Sequence, residues 1–268
     1  MKDKFKISII SMIVAVLGLG LLGVVRAGML IPAADTAKKM GAADASPVIE
    51  KTAAGEWELK APGLEKIEFI HWKKNFAKPS GAKGPKQPAC YKFLTPTKIK
   101  WTSLPVSYEI NPNNPQGLDE TFVINAISTS AETWDAATSQ ELMNDIYTVD
   151  YTAAYGVQNY ENALIFGNYP TAGVIAVTTV WYNPAAKAIV EFDIMFDTDW
   201  TWGDATLDAT KMDLQNIATH ELGHGVGLAD VYDSACSSVT MYGYSDYGEI
   251  IKRTLENPDI TGLLKLYP

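Results

Sequence analysis

The sequence predicts an α+β fold, and three stretches carry that expectation. In residues 189–196, Val190, Phe192, Ile194 and Phe196 alternate with Glu191 and Asp193, the period of a strand. After Asp119, the residues Val123, Ile127, Ala131 and Trp134 fall four, four and three apart, which places them on one face of a helix. Near the end, Ile260, Leu263, Leu264 and Tyr267 repeat the helical spacing. The order along the chain is helix, several strands, helix, loop, helix.

The elements follow in turn. Residues 1–27 open with Lys2, Lys4 and Lys6, then run apolar from Ile7 to Val25, and end at Val25-Arg26-Ala27. That is the layout of a secretory signal peptide; the length also suits an uncleaved membrane anchor. Either way the rest of the chain is expected outside the cell or on its surface. Residues 28–100 read as a pro-segment or linker. Within them 28–48 lack periodicity, 49–72 hold enough apolar side chains for a small packed element, and 73–88 are dense in Lys, Gly and Pro and read as an exposed connection. A domain is expected over 101–268. Residues 105–110 alternate as a strand, 111–117 are turn chemistry, and Asp119 caps a helix to about residue 137. Short apolar runs at 146–151, 163–166 and 174–181 read as strands. Thr210-x-x-Asp213 is a capping box that would open a helix through His224, and Asn257-Pro258 starts the last helix.

Charge narrows the partners. The net charge is −9, but between residues 73 and 100 there are eight lysines and no acid, while 101–268 carry 23 acids against five bases, a net −18. Phosphate binding needs clustered Lys and Arg, so nucleic acid is excluded as the partner of this region. The acidity serves solubility or salt adaptation, or else cation binding and a preference for basic substrates.

The chemistry concentrates at one place. The chain has three histidines, and two of them, His220 and His224, lie four apart with Glu221 between. Four residues of helix advance about 6 Å and overshoot a full turn by about 40°, so both imidazoles leave one face and can meet one ion. Glu221 is rotated off that line, where it can reach a water on the metal rather than the metal itself. Gly225 and Gly227 can end the helix and let the chain turn back beneath the ion. Asp230, six residues past His224, is then placed as a third ligand, with Asp233 as the fallback. Asp193, Asp197, Asp199 and Asp204 form an acidic run that could hold Ca2+, though their spacing matches no known calcium loop. His71, beside Trp72, reads as incidental.

The run from His220 to Asp230, His-Glu-Leu-Gly-His-Gly-Val-Gly-Leu-Ala-Asp, resembles the extended metzincin signature with Asp in place of the usual third His. Val239-Thr-Met241-Tyr242 is similar to the methionine turn of that group, and Met followed by Tyr is the matrixin style. The closing stretch from Asp259 to Tyr267, the strand at 105–108 and the helix ending at Trp134 also fit a matrixin. The resemblance covers about residues 101–268. It implies a twisted, mostly parallel five-stranded sheet with three helices, zinc held by His220, His224 and Asp230, and an apolar floor at Met241. It further implies an endopeptidase in which Glu221 is the general base and polypeptides bind extended along an edge strand. A catalytically silent binding module on the same fold is the alternative. One departure is the absence of the matrixin cysteine-switch sequence around Cys90. Cys90 and Cys236 are the only cysteines, and in an exported chain an even count predicts one disulfide; the rival is a Cys90 thiolate on the zinc.

Overall fold

The computed structural model describes residues 48–51, 57–60, 63–76 and 90–268. The expected signal or anchor at 1–27, nearly all of the 28–48 linker and most of the lysine-rich connection lie outside the described residues. Among the described residues no helix is long and apolar enough to cross a membrane.

A small hairpin comes first, with β1 (Val48–Lys51) antiparallel to β2 (Trp57–Lys60). The main sheet is built from β3 (Glu65–Lys73), β5 (Glu109–Ile110), β6 (Thr148–Val149), β7 (Ala163–Gly167), β8 (Val174–Asn183), β9 (Ala188–Asp197) and β13 (Tyr244–Ser245). Their order across the sheet is β13-β3-β8-β9-β7-β5-β6. Strands β9, β7, β5 and β6 run parallel in succession. β8 is antiparallel to both β9 and β3, and β13 is parallel to β3. Two-residue pairings join β4 (Lys92–Phe93) to β12 (Leu228–Ala229) and β10 (Trp202–Gly203) to β11 (Met212–Asp213).

The fold class is the expected one, mostly parallel with three helices, but the sheet has seven strands rather than five. The five are β5 to β9. Beyond β8 lie two more: β3, from the stretch expected to form a separate packed element, and β13, just after Met241.

The three helices are α1 (Glu120–Asp135), α2 (Leu214–Gly225) and α3 (Asn257–Leu264). Asp119 caps α1 as expected, accepting from the Phe122 N–H. The cap of α2 is Asp213 and not Thr210, whose hydroxyl instead donates to Asp208. Asp213 outcompetes Thr210 because it is buried and also takes Arg253, whose Nε donates to its Oδ1 at 2.8 Å. At α3 the cap is Glu256, in a reciprocal box with Asp259, which puts Asn257 and Pro258 inside the first turn. Helix α1 packs on α2 through Trp134, which is fully buried and donates its indole N–H to the Thr219 carbonyl at 2.8 Å. Burying that side chain contributes on the order of 3 kcal/mol.

Strand β9 is buried on both faces, which its alternation did not suggest. Phe192 packs towards α2, while Glu191 and Asp193 point into a covering loop. There Asn159 and Tyr160 donate backbone N–H groups to Glu191, and Gly156 and Ala163 do the same to Asp193. Burial pushes the Glu191 carboxyl up to about 7 and that of Asp193 up to about 8. Cys90 and Cys236 form a disulfide, with Cα atoms 5.3 Å apart, that ties the start of the described domain to the segment before Met241.

Candidate metal centre

Helix α2 carries two histidines and a glutamate. His220, Glu221 and His224 are all fully buried, and the two imidazole centroids lie 4.9 Å apart at 89°. The helix stops where the glycines predicted. Its last residue is Gly225, and Gly227 takes φ +112°, a left-handed conformation that turns the chain into β12. A Cβ at Gly227 would also come within 2.9 Å of Leu266 and 3.1 Å of the Ile99 carbonyl.

That reversal brings Asp230 up beneath the histidines. Its Oδ1 lies 3.1 Å from His220 Nε2 and 3.6 Å from His224 Nε2. None of these three atoms has an aligned hydrogen-bond partner, although all are buried. Buried polar atoms without partners are costly, and three that converge on one point fit a cation between them. Ligands about 2 Å from a tetrahedral zinc ion stand roughly 3.3 Å apart, close to the separations found here.

The surrounding groups fix each ligand. His220 Nδ1 donates to the Thr240 carbonyl at 2.7 Å, and His224 Nδ1 donates to the Leu228 carbonyl at 2.8 Å. A carbonyl only accepts, so each Nε2 is left with its lone pair facing the centre. The Tyr232 hydroxyl donates to Asp230 Oδ2 at 2.9 Å, leaving Oδ1 to the centre. Burial opposes the charged form of Asp230, but His224 and His220 hold its carboxyl below the usual range. Asp233 is exposed and caps the short turn Ser234–Cys236 by accepting from the Ala235 N–H, away from the centre.

Met241 is fully buried under the helix. A Cβ at Gly223 would sit 2.2 Å from its sulfur and 2.7 Å from Trp134, so the small residue lets the helix rest on this floor. The turn is held from α3: Asp259 accepts from the backbone N–H groups of Thr240 at 2.9 Å, Met241 at 3.2 Å and Glu256 at 3.0 Å. Asp259→Ala is therefore expected to leave three N–H groups without their acceptor, costing about 3 kcal/mol or more. The thermal midpoint should fall by roughly 6–12 °C for a domain of this size, as calorimetry would show. An unchanged midpoint would mean that the turn does not depend on this carboxylate.

Glu221 is gripped on both oxygens. Thr178 on β8 donates to Oε2 at 2.5 Å, and His71 Nδ1 lies 3.0 Å from Oε1. Burial pushes the Glu221 carboxyl up to about 7, with His220 and the Thr178 hydroxyl pulling the other way. Burial also holds His71 well below the usual histidine range, reinforced by His220 and Lys252. Both shifts work against a charged pair, so the contact is a hydrogen bond rather than an ion pair. His71 was expected to be incidental; it is 1% exposed and in the centre of the site. Its neighbour along the strand face, Phe69, stacks on His224 with centroids 4.2 Å apart.

Among the described residues only two groups of acids and histidines converge tightly enough for a metal: His220, His224 and Asp230, and His71, His220 and Glu221. The acidic run does not form one. Asp193 faces the covering loop, Asp197 accepts from the Asp199 N–H, and Asp204 pairs with Arg253.

A family model for matrixins matches residues 100–268. Over 177 residues the chain is 28% identical to human neutrophil collagenase, a match covering 65% of this chain and 35% of that protein. It is 27% identical over 175 residues to karilysin of Tannerella forsythia, covering 63% and 33% respectively. Stromelysin-1 of Rattus norvegicus is 26% identical over 174 residues, covering 64% and 34%. The chain thus matches only about a third of the length of these curated relatives.

Proposed function

Since the chain belongs to the matrixin family, we propose that it is an exported zinc-dependent endopeptidase with Glu221 as its general base. One observation carries the reading: three buried, unpartnered ligand atoms of His220, His224 and Asp230 converge beside a carboxylate that is not one of them. A purely structural zinc site has a fourth protein ligand and no use for such a base.

When bound, zinc supplies Lewis acidity that polarises a peptide carbonyl and lowers the pKa of a water towards about 7. The remaining work falls to the chain. Glu221 accepts a proton from the attacking water and passes it to the departing amine. Thr178, hydrogen-bonded to Oε2, orients the carboxylate so that Oε1 faces the reaction. β8 was expected to be a free edge but is paired with both β3 and β9, so a polypeptide substrate would lie extended along it, held by backbone hydrogen bonds, only in the place that β3 takes. Export rests on residues 1–27, as a cleaved signal or as a tether through residues 7–25.

The test is metal content with turnover. Purified protein should hold one zinc per chain and hydrolyse casein on prolonged incubation. 1,10-Phenanthroline should abolish hydrolysis, and added zinc should restore it. Hydrolysis indifferent to the chelator, or a chain that binds no zinc, would overturn the reading.

A further inference from the structure

The groove over the ligand triad is already filled by the chain itself. β3 lies along β8 in antiparallel register, from Glu65 opposite Tyr182 to Trp72 opposite Val174. On its other side it pairs with β13 in parallel, Trp72 with Tyr244 and Lys73 with Ser245. Lys74 N–H donates to the Ser245 carbonyl at 2.8 Å and Lys73 N–H to the Gly173 carbonyl at 2.9 Å. An extended peptide that sought the edge of β8 would need the same backbone groups that β3 holds.

Side chains complete the closure. Ile67, Phe69 and His71 share one face of the strand, directed at α2. Phe69 covers the His224 ring, and His71 lies 4.0 Å from the His220 ring while bonding to Glu221. The other nitrogen of His71 lies 3.0 Å from the Ser245 hydroxyl oxygen. Charge favours the docking too. Lys73 pairs with Asp246 at 2.7 Å and Lys74 with Glu249, joining the lysine-rich segment to the acidic domain.

We propose that residues 65–73 are a tethered, substrate-like occupant of the peptide cleft, which holds the site closed until it is withdrawn. The proposal rests on the peptidase reading of the same site. Both cysteines are bonded to each other, so neither offers a thiolate to the metal, and His71 on Glu221 stands where the base would meet its water. Activity of the intact chain is then limited by the fraction of molecules in which β3 has lifted off.

The test uses the full, zinc-loaded chain and two readouts: hydrolysis of a quenched fluorescent peptide, and calorimetric binding of a dipeptide hydroxamate. Phe69→Ala with His71→Ala removes a ring stack and a hydrogen bond to a carboxylate. Hydrolysis should rise and hydroxamate binding tighten, each by about tenfold or more. Should that variant misfold, a sequence-specific protease site inserted between residues 82 and 83 serves instead. Cutting turns the tethered strand into a free ligand, so the rate per molecule should rise on dilution in cut protein only. Equal hydrolysis by parent and altered chains overturns the occupant and leaves the peptidase standing. Tighter hydroxamate binding with no hydrolysis in any form upholds the occupant and overturns the peptidase. Unchanged binding and no dilution effect overturn the occupant.

Discussion

Glu221→Gln is expected to abolish peptide hydrolysis while leaving the zinc in place. The amide is nearly the same size as the carboxylate, so the fully buried pocket between Thr178 and His71 can accept it. What it cannot do is take a proton from water. Loss of a positioned general base costs on the order of 10²–10⁴ in rate. Because β3 covers the site, the comparison belongs in the Phe69→Ala/His71→Ala background, where turnover should be fastest. Zinc content measured alongside should be unchanged. Near-parental hydrolysis by a zinc-loaded Glu221→Gln chain would remove Glu221 from the role of base and return the chemistry to some other group.

Most of the site could be read from local sequence. His220 and His224 share a helix face by spacing alone, and Gly227 stands where a left-handed turn is needed. The turn at Met241 was legible only by resemblance, and its anchor, Asp259, only from the structure, because the two are 18 residues apart and meet through backbone N–H groups. The α2 cap shifted from Thr210 to Asp213 for a similar reason: Arg253, 40 residues on, fixes Asp213. His71 was the largest omission. Its partner Glu221 is 150 residues away, and no local pattern reports so distant a contact. A signal did exist, since Ile67, Phe69 and His71 alternate as one face of a strand, and a histidine on an apolar strand face needs buried partners. Among three histidines, two of them at the site, the third was the natural candidate. The same oversight left β3 out of the sheet, because a strand that adds to an edge from an earlier segment leaves no mark on the strand it joins; β13, two residues long and paired only to β3, was missed with it.

Asp230→Ala is expected to weaken zinc binding by more than about 100-fold, since even groups one step behind the ligands typically change affinity 10–100-fold. The loss follows from the geometry. Among the described residues Asp230 Oδ1 is the only carboxylate oxygen to converge on both Nε2 atoms, at 3.1 and 3.6 Å, and its removal would leave two histidines to hold the ion. Asp230→His tests the chemistry further. A third imidazole would be neutral, so the ion would keep more of its Lewis acidity than beside an anionic carboxylate, and zinc binding should recover. The position is tight, because the Tyr232 hydroxyl hydrogen-bonds to Asp230 and a Cβ at Gly243 would lie 3.0 Å from its Oδ1. Tyr232→Phe therefore accompanies the exchange, freeing the space and the hydrogen bond that the carboxylate used. Asp233→Ala is the control: its side chain caps a surface turn, so zinc affinity should not move. Competition against a fluorescent zinc chelator reads all four proteins on one scale. If Asp230→Ala held zinc as tightly as the parent while Asp233→Ala did not, the ligand would be Asp233, and the surface turn at Ser234–Cys236 would have to open to deliver it.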